Sequence, residues 1–184
     1  MPHISLEEHL PGITGLLEYR LDTAYPIRDL TQILLRGEST LTQAERELIA
    51  TVVSAGNECK FCTAAHTAAA DILLGECNTT QMVLHDLKNA PVSDKVKVLL
   101  KIARNVQISG KRVSPSIIEK AKSLGATDLE IHDTVLIAAL FCLYNKYVDG
   151  LASITPNDPT YYQTLGNKIV NQGYLRSPQL IKKP

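Results

Sequence analysis

Two helix-start signals, each followed by apolar residues at helical spacing, most constrain the fold of this chain. Thr42 stands three residues before Glu45, and Thr127 stands three residues before Glu130, which is the pattern of a capping box. The second box precedes the most apolar stretch of the chain, residues 135–148, whose all-round hydrophobicity predicts a central, buried helix. The first box precedes an apolar stripe that consists of Leu48, Ile49, Val52 and Val53.

The remaining segments also carry residues typical of helix boundaries. Glycine, proline and capping residues separate runs of helical periodicity, and these predict candidate helices over residues 5–10, 14–25, 26–36, 57–75, 80–88, 93–110, 115–125 and 161–172. No segment alternates apolar and polar residues between turn pairs, so no sheet is expected. We therefore predict an all-α, single-domain bundle of about eight helices over residues 1–184, with a loosely packed tail from about residue 175.

The balance of charge makes nucleic acid an unexpected partner. The 184 residues include 19 basic and 19 acidic side chains and no long basic run, so little counterion release would drive binding to a phosphate backbone. Membrane attachment is not expected either. The longest apolar run, residues 135–143, is about half of the roughly 20 residues that a spanning helix needs.

The cysteine content points to a reducing compartment. The chain has four cysteines, and its N-terminus lacks the basic and hydrophobic regions of a signal peptide, which argues against a disulfide scaffold. We therefore expect a cytoplasmic protein, in which a close pair of cysteines is redox-active or binds a metal.

The segment from Asn57 to His66 holds the residues that most suggest chemistry. Cys59, Cys62 and His66 fall at i, i+3 and i+7, so on a helix they share one face. Asn57 is a favoured N-cap, which would place both thiols in the first turns of the helix. The helix dipole and the free backbone N–H groups there lower a thiol pKa, and Lys60 adds positive charge nearby. Two thiols at this spacing can close a disulfide, so one can attack and the other can resolve.

A histidine and a glutamate are candidate proton carriers for the two thiols. His66 lies one turn beyond Cys62 on the same face, where it can take or relay a proton. Glu47 stands beside apolar Leu48 and Ile49, and it would point toward the dithiol if its helix and the next one pack antiparallel. A carboxylate in partly apolar surroundings has a raised pKa and could shuttle protons.

With these residues in place, residues 40–75 resemble the alkylhydroperoxidase D-like family, within the larger carboxymuconolactone decarboxylase group of small all-α proteins. In that family a glutamate stands twelve residues before the first motif cysteine, as Glu47 stands before Cys59. The other matches in this segment are the run Ala44-Glu45-Arg46-Glu47-Leu48-Ile49-Ala50, then Asn57, and the motif Cys-x-x-Cys-x-x-x-His. Looser matches look like the peroxidase-related branch of the family, namely Phe141, Asn145, Gly150 and the pair Gly173-Tyr174.

The resemblance implies an antioxidant, thiol-dependent peroxidase that reduces hydrogen peroxide or organic hydroperoxides without a cofactor or a metal. It implies that Cys62 is the peroxidatic thiol, which becomes a sulfenic acid, and that Cys59 donates a proton and then forms a disulfide with it. His66 and Glu47 would form the proton relay. An external dithiol would reduce the disulfide, and members of the family are usually homo-oligomers. One departure is Phe61, which stands where founding members have a second histidine and removes a titratable group.

Other interpretations of the cysteines and of the function stay open at this point. Cys59 and Cys62 could be half of a zinc site with His66, although no second ligand pair is present, or they could be a structural pair of buried thiols. A carboxymuconolactone decarboxylase-type reaction does not need a dithiol, and a non-enzymatic redox sensor would use the disulfide to change partner binding. Cys77 and Cys142 are expected to be packed or surface thiols. Tyr144 and Asn145 could approach the site from the apolar helix, although packing is the favoured interpretation.

Overall fold

The structure, a computed structural model, describes residues 1–175, and all of the regular structure in that range is helical. Its nine α-helices are α1 (Ile13–Tyr19), α2 (Leu21–Arg36), α3 (Gln43–Gly56), α4 (Lys60–Leu74), α5 (Asn78–His85), α6 (Asp94–Ile108), α7 (Pro115–Ser123), α8 (Asp128–Gly150) and α9 (Pro159–Gln172), with a 3₁₀ turn at Gly110–Arg112. The all-α fold is thus confirmed, with nine helices where about eight are predicted. The predicted loose tail, from about residue 175, lies almost wholly outside the described residues.

Local signals set several helix boundaries as predicted. Both capping boxes form, at the starts of α3 and α8: each threonine hydroxyl accepts the backbone N–H of its glutamate, and each glutamate carboxylate accepts the backbone N–H of its threonine. Ser93 caps α6 through its hydroxyl. Gly75 ends α4 in the left-handed conformation that glycine adopts most easily.

The N-terminal segment is not the helix predicted over residues 5–10. Its backbone is irregular up to Gly12, because long-range hydrogen bonds compete with local helix formation. The His3 N–H donates to the Leu151 carbonyl at 3.0 Å, and the Gly12 N–H donates to the Ile154 carbonyl at 2.8 Å. Tertiary contacts therefore override a weak local pattern in this segment.

The start of α2 also differs from the prediction. The helix begins at Leu21, well before Pro26, its predicted first residue. Arg20 interrupts the chain between α1 and α2 with an extended backbone, and its carbonyl accepts the Thr23 hydroxyl. Pro26 therefore lies inside the helix, where its missing N–H removes one helical hydrogen bond, and the helix predicted over residues 14–25 divides between α1 and α2.

The main apolar core surrounds α3, which packs against α4, α6 and α8. α8 contributes one buried face, which includes Ile137 and Phe141, whereas its Leu129 and Leu143 are exposed. The predicted central position of α8 is confirmed, since α8 packs against α1, α2, α3, α4, α6 and α7, although its neighbours leave part of its circumference exposed. Neither α8 nor another helix in residues 1–175 has the length and hydrophobicity needed to span a bilayer.

A smaller apolar cluster, which we call the dithiol cluster, joins α1, α4, α8 and α9. α4 and α9 cross closely, since a Cβ at Gly166 would lie 3.0 Å from atoms of Ala68 and Ile72. The motif cysteines are thus held in a packed interior. The buried members of the dithiol cluster are Leu16, Cys59, Phe61, Cys62, Ala65, Val148 and Tyr162.

Candidate active site

A tight turn between α3 and α4 places the two cysteines. Asn57 is the C-cap of α3, and Glu58 adopts a left-handed conformation, with φ of 59°, which redirects the chain. Cys59 then becomes the N-cap of α4. The prediction that Asn57 caps this helix is therefore wrong, and its side chain donates instead to Asn145 on α8. Cys62 is the third residue of α4, so both thiols still lie at a helix N-terminus.

The two thiols hydrogen-bond to each other inside the dithiol cluster. Cys59 is fully buried, and Cys62 is 3% exposed. The hydrogen bond with Cys62 lowers the pKa of Cys59, and this effect exceeds that of burial. The same hydrogen bond, together with burial, raises the pKa of Cys62. The expectation of a lowered pKa therefore holds for Cys59 and is wrong for Cys62, since their mutual hydrogen bond favours ionisation of Cys59 and disfavours that of Cys62.

α8 supplies a polar neighbour to each thiol. The Asn145 side chain hydrogen-bonds with Cys62, which lowers the pKa of Cys62 and partly offsets the larger effects of Cys59 and burial. Asp149 hydrogen-bonds with Cys59, and its charge disfavours a second negative charge on either sulfur. Asn145 is therefore more than the packing residue that its apolar surroundings in the sequence predict.

His66 is oriented by Glu47, as the packing of α3 against α4 allows. The distance from His66 Nδ1 to Glu47 Oε2 is 2.7 Å, and the carboxylate is fully buried while His66 is 8% exposed. A carboxylate only accepts hydrogen bonds, so Nδ1 carries the proton and Nε2 is the basic nitrogen of the neutral ring. Phe141 packs edge-on against the imidazole, with ring centroids 4.5 Å apart.

Three donors converge on the buried carboxylate of Glu47. Oε2 accepts from His66, while Oε1 accepts from Arg36 Nη2 and from the Tyr174 hydroxyl, each at 2.6 Å. Burial raises the pKa of Glu47, but the three donors together outweigh it and hold this pKa below its ordinary value. The raised pKa predicted from the apolar neighbours of Glu47 is therefore wrong. The carboxylate is an anion that orients His66.

Tyr174 closes the site from the C-terminal side of α9. Its ring lies nearly parallel to that of His66, with centroids 6.3 Å apart, and the Arg36 guanidinium carbon is 5.0 Å from its centroid. Gln32 accepts the Tyr174 backbone N–H at 2.8 Å. Burial and the Glu47 charge raise the pKa of the Tyr174 hydroxyl well above its ordinary value, so this hydroxyl remains a donor.

Cys62 and His66 line a cavity of about 770 Å³. Cys59 does not line it and lies beneath Cys62, so the single face predicted for the three residues is realised for two of them. Charged side chains line it as well, namely Glu18, Arg28 and Lys168. The apolar part of the wall includes Ile13, Leu17, Phe61, Phe141, Leu165 and Ile169.

Phe61, between the two cysteines, is a packing residue. It is 2% exposed, and its ring centroid lies 6.3 Å from that of Tyr161 and 5.9 Å from that of Tyr162. The ring also covers Gly12, where φ is +62° and a Cβ would lie 2.2 Å from the aromatic carbons. Phe61 therefore couples the N-terminal segment to the dithiol cluster and adds no titratable group.

Two side chains of the site are not predicted by local sequence patterns. Arg36 ends α2, where a basic residue is ordinarily a solvated partner of the helix dipole. Tyr174 is 127 residues from Glu47 in sequence, and only its place in the family resemblance points to it. No group of three or more His, Cys, Asp or Glu side chains within residues 1–175 is arranged to hold a metal ion.

Comparisons with known proteins agree with this architecture. The model of the carboxymuconolactone decarboxylase family matches residues 23–71, which run from α2 into α4. The crystal structure of an uncharacterized peroxidase-related protein from Silicibacter sp. TM1040 has a TM-score of 0.75 and 25% identity, and the match covers 83% of this chain and 78% of that one.

A second crystal structure shows the same fold. It is described as an alkylhydroperoxidase AhpD core, an uncharacterized peroxidase-related protein from Ralstonia eutropha JMP134. Its TM-score is 0.75 at 24% identity, and the match covers 85% of this chain and 80% of that one. No curated protein matches the sequence.

Proposed function

We propose that this chain, an alkylhydroperoxidase D-like member of the carboxymuconolactone decarboxylase superfamily, is a thiol-dependent peroxidase for organic hydroperoxides and hydrogen peroxide. One arrangement carries the proposal: Cys62 lines a cavity beside the oriented imidazole of His66, with Cys59 in hydrogen-bond contact beneath it. A thiol that is to be oxidised and restored needs a resolving thiol and a proton carrier. Both neighbours are within this group of residues.

In the proposed first step, the sulfur of Cys62 attacks the outer oxygen of the peroxide. Its proton passes to the thiolate of Cys59, the thiol of the pair whose pKa is lowered. The O–O bond breaks, and Cys62 becomes a sulfenic acid. The departing alkoxide takes the proton from the Cys59 thiol and leaves as the alcohol, so Cys59 is a thiolate again.

In the second step, the Cys59 thiolate attacks the sulfenic sulfur of Cys62. The disulfide forms, and the hydroxide that leaves takes a proton relayed from solvent through His66 Nε2, so that water is released. An external dithiol then supplies the two electrons that restore both thiols. Glu47 stays ionised throughout, because its lowered pKa makes it an orienting anion rather than a proton shuttle.

The cavity supports organic hydroperoxides as the preferred substrates. Its volume of about 770 Å³ and its mixed wall suit a molecule with a bulky apolar group much better than they suit hydrogen peroxide. Leu165 lies in that wall. We expect Leu165→Trp to reduce the turnover of cumene hydroperoxide about tenfold and to leave that of hydrogen peroxide nearly unchanged. Equal losses for both peroxides would show that the cavity does not select the substrate.

Peroxide consumption in the presence of dithiothreitol tests the reaction itself. Cys62→Ser should abolish turnover, and Cys59→Ser should stop at a sulfenic acid on Cys62 that dimedone traps and mass spectrometry locates. Cys77→Ser is a matched control, because Cys77 is an exposed thiol outside the cavity, and it should keep the wild-type rate. Normal turnover in Cys62→Ser would rule out the proposal.

The matched family model favours one alternative, a carboxymuconolactone decarboxylase-type reaction. That reaction needs no dithiol, so it should survive both Cys59→Ser and Cys62→Ser. A lactone or acid turnover that persists in both variants, with no peroxide consumed by the wild type, would replace the peroxidase proposal.

A further inference from the structure

A chain of side-chain amides runs from the surface of α6 to the dithiol. Gln107 Nε2 donates to Asn57 Oδ1 at 2.8 Å, and Asn57 Nδ2 donates to Asn145 Oδ1 at 2.9 Å. Gln107 is partly exposed, whereas Asn145 is 1% exposed. Each carbonyl accepts from the preceding amide nitrogen, so the orientation of one amide sets that of the next.

This direction leaves both N–H groups of Asn145 facing away from Asn57. One donates to Ser54 Oγ at 3.1 Å. The other is free to meet Cys62, with which the Asn145 side chain hydrogen-bonds. An N–H donor beside a sulfur in a buried place stabilises the thiolate more than the neutral thiol, because the charged acceptor makes the stronger hydrogen bond.

The other groups that act on Cys62 do not help it to lose its proton. Cys59, at the start of α4, and Asp149, on α8, both disfavour negative charge on Cys62. Asn145 is the side chain that offsets them. Other titratable groups face the Cys62 sulfur or its cavity from every element packed around it. They are Glu18 on α1, Tyr25 and Arg28 on α2, His66 on α4, Tyr144 on α8, Tyr162 and Lys168 on α9, and Tyr174 after α9.

Gly56 leaves room for the outer end of the amide chain. The Gln107 side chain crosses Gly56 so closely that a Cβ there would lie 2.9 Å from Gln107 Cδ and Oε1. The close approach limits the positions that this amide can take. Gln107 therefore helps to fix the donor orientation of Asn145, although it does not itself bond to the sulfur of Cys59 or Cys62.

We propose that Asn145 is a further catalytic residue, which donates a hydrogen bond to the Cys62 sulfur as that sulfur loses its proton. Asn57 and Gln107 are positioning residues that hold the Asn145 amide in the donating orientation. The role in turnover rests on the proposed peroxidase, whereas the hydrogen bond is a property of the reduced thiol and can be measured without peroxide.

The test follows the ionisation of Cys62 by its rate of alkylation with iodoacetamide as a function of pH, read at the Cys62 peptide by mass spectrometry. A Cys59→Ser background leaves Cys62 to titrate alone. Asn145→Asp exchanges the donor for an acceptor of the same size. A lost hydrogen bond to a charged group should raise the Cys62 pKa by about one to two units, so alkylation at neutral pH should fall about tenfold or more.

Gln107→Glu tests the positioning from the partly exposed end, where folding is not at risk. A carboxylate there can only accept, so the Asn57 amide must turn its nitrogen toward residue 107 and its oxygen toward Asn145. Asn145 then turns its own oxygen toward Cys62, and alkylation should again fall. Asn105→Asp is the charge-matched control on α6, since Asn105 is outside the amide chain. In this variant Cys62 should titrate as it does in the background protein.

Salt separates orientation from simple charge repulsion. A slower alkylation in Gln107→Glu that persists at high salt supports the proposal, because a reversed hydrogen-bond chain is not screened. An effect that vanishes at high salt, or one that Asn105→Asp reproduces, overturns the positioning role. Unchanged Cys62 titration in both Asn145→Asp and Gln107→Glu, with wild-type circular dichroism, overturns the proposal entirely. A protein that consumes no peroxide but shows these shifts would contradict only the proposed function.

Discussion

Replacing Glu47 by glutamine is the most informative single change in this molecule. The amide oxygen can still accept from Arg36 and Tyr174, which places the amide nitrogen toward His66 Nδ1. Two donors cannot share a hydrogen bond, so the imidazole proton must move to Nε2. The variant therefore loses the carboxylate and inverts the tautomer of the ring that lines the cavity.

Both consequences have a magnitude. The Arg36 side chain is 4% exposed, and breaking a buried ion pair by removing one charge typically costs about 3–5 kcal/mol. For a chain of this size each kcal/mol lowers the melting temperature by about 2–4 °C, so the expected loss is about 6–20 °C. General acid–base catalysis contributes about a hundredfold or more, and peroxidase turnover should fall by this order at a temperature where the variant is folded.

Differential scanning calorimetry and a peroxide assay read the two effects separately. Adding Arg36→Met to Glu47→Gln removes the orphaned charge, so the double variant should regain at least half of the lost melting temperature. It should not regain turnover, because His66 still lacks its carboxylate. A single Glu47→Gln variant with the melting temperature and turnover of the wild type would refute the reasoning, and so would recovery of activity in the double variant.

Three further predictions concern the same network and its supports. The folded-state pKa of Glu47 is lowered, so its contribution to stability is complete above the unfolded pKa of about 4.3 and is lost as pH falls through the folded pKa. Melting temperatures between pH 7 and pH 2 should therefore fall more steeply for the wild type than for Glu47→Gln. Tyr174→Phe removes one hydrogen bond to this carboxylate and should lower the free energy of unfolding by about 1.5–3 kcal/mol, while an unchanged urea midpoint would show that the hydroxyl is dispensable. Gly12→Ala places a Cβ 2.2 Å from the Phe61 ring at a φ of +62° and should destabilise by about 1–3 kcal/mol, which denaturant unfolding measures, whereas a stable variant would mean that the ring can move aside.

The parts of this fold that sequence predicts are those that local chemistry decides. The Thr42 and Thr127 capping boxes and the glycine stop at Gly75 each depend on residues within one turn of the helix end. The spacing of Glu47 and His66 also has local meaning, because a short turn between two packed helices brings residues on either side of it together. The contact of 2.7 Å between them follows from that geometry.

The parts that sequence does not predict depend on distant contacts. The N-cap of α4 moves from Asn57 to Cys59 because Asn57 bonds with Asn145, 88 residues away in sequence. The pKa of Glu47 changes direction because His66 offsets the effect of burial, together with Arg36 and Tyr174, which reach the carboxylate from α2 and from the segment after α9. Nothing within a few residues of Glu47 carries that information.

The burial of Cys59 beneath Cys62 determines how the disulfide of the proposed enzyme can be reduced. Of the two thiols only Cys62 lines the cavity, so a reductant that enters there would attack Cys62 of the disulfide and expel Cys59. The lowered pKa of Cys59 suits this role, because a thiol of lower pKa leaves faster in disulfide exchange. Peroxide and reductant therefore use one entrance in turn, which predicts ping-pong kinetics in which an excess of either substrate obstructs the other.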